Sequence, residues 1–301
     1  MTFGYEGKLF ILAFDHRGSF QKKFFGIEGA PSAEEAQRII DAKRVIFEGM
    51  QRALADGLDA SAAGVLVDEQ FGTQVARDAT QAGMVLAMPA EKSGQDDFDF
   101  EYGSEFGAHI EAFDPTFTKV LVRYNPHGDG AMNARQSAKL KELSDWLHHH
   151  GRRFLFELLV PAEANQLAAV DGDEGRYDRE LRPDLMKVAI AELQETGIEA
   201  DIWKIEGIDD PAKCAEIVEQ CRIGGRDGVG CVVLGRGADD DAVDAWLRAA
   251  REVPGYQGFA IGRSIWWNPL MSFVKGEMPR EEAATQIANN YLRFVAVYEE
   301  G

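Results

Sequence analysis

Eight short apolar runs, rich in β-branched and aromatic residues, recur along the chain, and each ends in polar or glycine-containing sequence. They are KLFILAFD (8–15), AGVLVDE (63–69), MVLAMPA (84–90), TKVLVRY (118–124), RFLFELL (153–159), ADIWKIE (200–206), VGCVVLG (229–235) and QGFAIGR (257–263). Several are nearly unbroken hydrophobic strings, as strands buried on both faces of a parallel sheet require. The stretches between them, such as SAEEAQRIIDAKRVIFEGMQRALADG, NARQSAKLKELSDWLHHHG and DDDAVDAWLRAAREVPG, carry apolar residues three and four apart with glycine near their ends, which predicts crossover helices. Ser32 followed by Glu35 forms a capping-box pattern at the start of the first, and the acidic cluster Asp239, Asp240 and Asp241 suits the N-terminus of the last.

Alternation of this kind builds either a closed barrel or an open doubly wound sheet. The open sheet would carry a GxGxxG fingerprint after its first strand, and this chain has DHRGSF there. The expectation is therefore an α/β fold in which residues 1–301 form a single (β/α)8 TIM barrel domain, with no linker or low-complexity tract. In such a barrel the C-terminal ends of the strands share one mouth, where catalysis sits.

Charge and cysteine content narrow the partners. A net charge of −19 sets the surface against nucleic acid and anionic membranes, so an anionic substrate must be captured by local Lys, Arg and backbone N–H groups. The three cysteines, Cys214, Cys221 and Cys231, lack CxxC spacing and read as core or helix thiols. No window reaches the length of a membrane span, and the N-terminal MTFGYEGKLF lacks a basic segment followed by a long apolar run, so a reducing cytoplasm is expected.

Ionisable residues flanked by apolar strand are exceptional in soluble cores, yet they stand at nearly every strand end here: Asp15 and Arg17, Asp68 and Glu69, Glu91 and Lys92, Arg123, Glu157, Lys204 and Glu206, Arg236, and Arg263. Any one of them could merely cap a strand in solvated loop. Lys204 stands out because Ile202, Lys204 and Glu206 share one strand face while Trp203 and Ile205 point the other way. Apolar walls and neighbouring cations disfavour an ammonium, and a free amine so placed can attack a ketone. The plain alternative is a structural ion pair with Glu157 or Glu206. Glu157, enclosed by Phe and Leu in FLFELL one strand earlier, is the expected general acid/base, with burial raising its pKa toward neutrality. For a phosphate, the last two runs end in LGRGAD and AIGRSIW, where Gly235 and Gly262 let the backbone approach and Arg236 and Arg263 supply charge.

Other residues carry less. His148, His149 and His150 close a helix before Gly151, His127 sits in a turn, and His16 could contact substrate beside Asp15. No cluster has metal-ligand spacing, so no metal or cofactor is expected. Trp266 and Trp267, read as exposed beside Pro269, suggest either a homo-oligomer contact or packing for a C-terminal helix.

In order, AFDHRGSF, VLVDEQFG, EKSG, FLFELL, DIWKIEG and FAIGRSIW resemble motifs of the tagatose-bisphosphate and sulfofructose-phosphate class I aldolases, over nearly the whole barrel. The stretch FAIGRSIWWNPLMSFVKGEMPREEAATQIANNYLRFVAVY and the LGRGAD turn further resemble the aldolase-like domain fused behind 5-dehydro-2-deoxygluconokinase in bacterial inositol catabolism. The resemblance implies Lys204 as the imine-forming residue, Glu157 as acid/base, and Asp15 and Arg17 as the substrate-contacting first strand, with Asp15 counted among the catalytic residues. It implies Arg263 at the phosphate, assisted by Lys92; Asp68, Arg123, Gly235, Arg236 and Gly262 complete the expected substrate-binding set. The reaction implied is cleavage of 5-dehydro-2-deoxygluconate 6-phosphate, with tagatose-bisphosphate or sulfofructose-phosphate cleavage, or a non-catalytic sugar-phosphate-binding barrel, as alternatives. The chain departs from the tagatose enzymes at His16, where they carry Gln, and at LGRGAD, where their phosphate turn contains Ser.

Overall fold

The computed structural model describes residues 3–300, and in it all eight predicted strands form, each within three residues of its expected bounds. They are β1 (Leu9–Ala13), β2 (Ala63–Leu66), β3 (Val85–Pro89), β4 (Phe117–Arg123), β5 (Arg153–Leu159), β6 (Ile202–Glu206), β7 (Gly230–Leu234) and β8 (Tyr256–Ile261). Each pairs in parallel with the next and β8 pairs with β1, so the sheet closes into a (β/α)8 TIM barrel. Among the described residues no helix is long and apolar enough to cross a membrane.

Strand alternation divides the apolar residues into two layers. Leu9, Ile11, Phe117, Leu155, Ile202 and Val232 point inward and fill the floor of the barrel, closed from below by Tyr5. Their chain neighbours Phe10, Leu12, Phe156 and Trp203 point outward and pack under the helices. The helix Ala33–Ala55 begins with the predicted capping box of Ser32 and Glu35, and Asp239 caps the helix Asp240–Arg251. All three cysteines are free and buried.

Two glycines set the closure. At Gly258, φ is +143° and a Cβ would lie 2.1 Å from the Leu9 carbonyl oxygen, at the register shift between β7 and β8. At Gly262 a Cβ would lie 2.3 Å from the Ala13 carbonyl oxygen, which instead accepts a 2.9 Å hydrogen bond from the Trp266 indole. That bond corrects the expectation of exposed tryptophans: Trp266 is fully buried and Trp267 half-buried, because the helix Arg263–Val274 turns them onto Phe20 and Phe24.

Candidate active site

Above the apolar floor the inward positions of β4, β5 and β6 change character. Lys119, Leu121 and Arg123 rise along β4, Glu157 and Leu159 along β5, and Lys204 and Glu206 along β6, and all seven line a cavity of about 520 Å³ at the C-terminal ends of the strands. Glu157 and Lys204 are direct partners in the β5–β6 register, and Glu157 Oε2 accepts a 3.0 Å hydrogen bond from Lys204 Nζ. Both side chains are almost completely buried.

A second lysine, absent from the sequence-derived set, occupies the centre. Lys119 Nζ lies 2.9 Å from Asp15 Oδ2, 2.8 Å from Glu91 Oε1 and 3.1 Å from Glu157 Oε2. Asp15 and Glu91 accept hydrogen bonds from the ammonium, and Glu157 completes the cluster as a third ion-pair partner. Burial alone would lower the pKa of Lys119, but Asp15, Glu157 and Glu91 reverse this and hold it well above the ordinary value. Lys119 is thus locked as a cation, whereas Lys204 meets a single carboxylate that it shares with Lys119.

The same cations overturn the expected titration of Glu157. Burial raises its pKa as anticipated, but Lys119 and Lys204 outweigh burial and the carboxyl falls below its ordinary value. Asp15 follows the same balance: burial opposes ionisation, and Lys119, His16 and Lys204 win, leaving it far below the usual carboxylate range. For Glu91 burial prevails over Lys119 and Arg17, and its pKa rises. His16, also in the cavity wall, is pushed down to about 4, by burial first and then by Arg263, Lys43 and Lys119 against the opposing Asp15. It is a neutral imidazole at ordinary pH.

The remaining expected residues divide between the cavity and its supports. Arg17 lines the cavity while bonded at 2.6 Å to both Glu101 Oε2 and the Glu91 carbonyl. Arg236 sits at the lip with φ +50°, its guanidinium 3.1 Å from Glu206 and 2.9 Å from Asp178. Burial raises the Glu206 pKa against Arg182 and Arg236. Lys92, Arg123, Gly262 and Arg263 are also in the wall, with Arg263 Nη2 donating to the Arg236 carbonyl at 2.5 Å. Gly235, expected in the substrate-binding set, is not part of the wall; a Cβ there would press on Ile261 at 3.1 Å. Asp68 requires correction. It faces away from the cavity, caps the helix Glu69–Gln81 through the Phe71 N–H, and is ion-paired with the fully buried Lys43.

Eight Lys and Arg side chains and four carboxylates line the cavity, a local cationic excess in a chain of net charge −19. Among the described residues no group of three or more His, Cys, Asp and Glu is arranged to hold a metal ion. The arrangement brings a buried amine, a carboxylate within hydrogen-bonding distance and spare cations to the catalytic end of a (β/α)8 barrel.

Comparison with known proteins places the chain in a family. It belongs to DUF2090, described as an uncharacterized protein conserved in bacteria, whose model matches residues 4–301. No curated protein sequence matches it. Solved structures of similar shape include Cgl0159 from Corynebacterium glutamicum, at 17% identity and TM-score 0.58, covering 98% of this chain and 88% of that one. They also include a fructose-bisphosphate aldolase from Slackia heliotrinireducens, at 14% identity and TM-score 0.57, covering 98% and 86%. At these identities the likeness establishes the shared fold.

Proposed function

We propose that the chain is a class I aldolase that cleaves a ketose phosphate through an imine on Lys204. The observation that carries this reading is the division of labour between two buried lysines on either side of Glu157: Lys119 is held by three carboxylates, and Lys204 is held by one. A lysine held as an ammonium by three carboxylates has no free lone pair with which to attack. Lys204 can pass a proton to Glu157 Oε2 and attack. The Slackia aldolase illustrates that this architecture can carry aldol chemistry, but the support here comes from the site itself.

In the proposed sequence the Lys204 amine adds to the substrate ketone, Glu157 returns the proton it took to the departing hydroxyl, and water leaves to give a protonated imine beside a Glu157 carboxylate. The Glu157 carboxylate then takes the proton of the hydroxyl two carbons from the imine carbon. The intervening carbon–carbon bond breaks, an aldehyde departs, and the bond electrons enter the imine as an enamine. Reprotonation and hydrolysis consume the water released earlier and free the ketone product and Lys204. The substrate favoured by the sequence resemblance is 5-dehydro-2-deoxygluconate 6-phosphate, yielding malonate semialdehyde and dihydroxyacetone phosphate. Arg263 and the adjacent backbone hold its phosphate, and Asp15 orients a hydroxyl.

Borohydride added with substrate should fix a reduced adduct on the peptide containing Lys204, with cleavage insensitive to EDTA. An unmodified Lys204 under turnover, or activity abolished by EDTA, rejects the scheme. Cleavage rates on tagatose 1,6-bisphosphate and 6-deoxy-6-sulfofructose 1-phosphate, measured beside the proposed substrate, decide the substrate.

A further inference from the structure

The cations of the cavity fall into two kinds. Lys119, Lys204, Arg17 and Arg236 are each ion-paired inside the protein. Lys23, Lys92, Arg123 and Arg263 also line the cavity, and among the described residues none of them is ion-paired with a carboxylate. In a chain with 51 acidic and 32 basic side chains, four unpaired cations around one cavity call for a ligand.

Their positions on the ring are informative. Lys23 follows β1 and Arg263 follows β8, so these two lie together where the barrel closes. Lys92 follows β3 and Arg123 ends β4, and in the closed strand order β4 stands across the ring from β8. Lys204 on β6 lies between the two groups. Nor are Lys92 and Arg123 spent on the acidic segment around them. Glu91 pairs with Lys119, Asp97 with Arg135, Asp99 with Lys139 and Glu101 with Arg17, while Asp96 is ion-paired with neither Lys92 nor Arg123. Arg123 instead uses one N–H to tether the Gln95 carbonyl at 3.1 Å, which holds the Lys92 segment beside it and leaves its other donors unused.

We propose that Lys92 and Arg123 form a second anion subsite, opposite the phosphate cations at Arg263 and Lys23. It receives a carboxylate or phosphate at the far end of a linear substrate. This rests on the aldolase reading for the nature of the ligand and deepens it: the cavity selects open-chain substrates with an anionic group at each end, and the distance between the two cation groups selects their length. A guanidinium fork matches a carboxylate in two-pronged fashion, so Arg123 is the specificity-determining residue of the pair.

Isothermal titration with three acyclic hexose derivatives tests this. 6-Phosphogluconate carries anions at both ends, glucitol 6-phosphate carries one, and glucitol 1,6-bisphosphate carries two phosphates. None has a ketone, so the outcome is independent of whether Lys204 forms an imine. The native protein should bind 6-phosphogluconate about tenfold or more tightly than glucitol 6-phosphate, as expected for a charge-assisted hydrogen bond. Arg123→Met should erase that preference, and Arg263→Met should weaken both ligands alike. Lys92→Met, at the exposed rim, gives a smaller change of the same sign and keeps the test readable if Arg123→Met fails to fold. Tighter binding of the bisphosphate than of 6-phosphogluconate assigns the subsite to phosphate, and the reverse order assigns it to carboxylate. Equal affinity of the native protein for the one-ended and two-ended ligands, or an Arg123→Met loss shared equally by them, overturns the proposal.

Discussion

Two buried lysines flank the end of β1 and have opposite surroundings. Lys43 is sealed outside the barrel wall, donating to the Phe14 carbonyl at 2.8 Å, ion-paired with Asp68 and packed near Phe20 and Phe71. Lys119 lies on the inner side, bonded to Asp15 one residue further along, and opens onto the cavity. Burial pulls the Lys43 pKa down against Asp68 and the more distant Asp15, while Asp15, Glu157 and Glu91 lift that of Lys119. Both lysines are buried and paired with carboxylates, so neither burial nor such a pair marks a site. What separates them is access: a ligand can reach the inner cluster, and only side chains reach the outer one.

That contrast can be broken from either side. The largest effect is expected at the inner cluster, where Lys204→Met should lower kcat by roughly 10⁴-fold or more and abolish borohydride trapping while the protein stays folded. Glu157→Gln should reduce kcat by about 10² to 10⁴-fold, read by steady-state assay beside a circular dichroism control. At the outer cluster the order inverts. Lys43→Met leaves Asp68 as an uncompensated buried charge and should cost about 3–5 kcal/mol in urea denaturation, with kcat/KM of the folded protein unchanged. Adding Asp68→Asn to that variant should recover part of the loss.

The smallest effect is on acid stability. Glu157 and Asp15 titrate in the folded state below their ordinary values of 4.5 and 3.8. A depressed carboxyl contributes stability that is complete above its unfolded value and is lost as pH falls through the folded one. Between about pH 5 and pH 3 the denaturation midpoint of the native protein should therefore drop more steeply than that of Glu157→Gln. Parallel curves would show that the cations around Glu157 do not stabilise its charged form.

Lys119 was legible in the sequence. TKVLVRY places Lys119, Leu121 and Arg123 on one strand face by the same two-residue period that singles out Lys204. Asp68 was not legible in this way. It ends its apolar run much as Asp15 does, yet it turns outward as a helix cap, and only the path of the chain after β2 separates the two. Trp266 likewise depended on a bond to Ala13, 253 residues away along the chain.

The amino-acid order by itself determined the eight strands, their helices and the inward face of β6, because these follow from local periodicity and capping. It also determined that cations gather at the strand ends. Which of those cations are neutralised, which lysine is locked, and whether Glu157 titrates up or down were decided only by the closed barrel. Electrostatic energies depend on distances of a few ångströms between strands remote in sequence, and ring closure is what sets those distances.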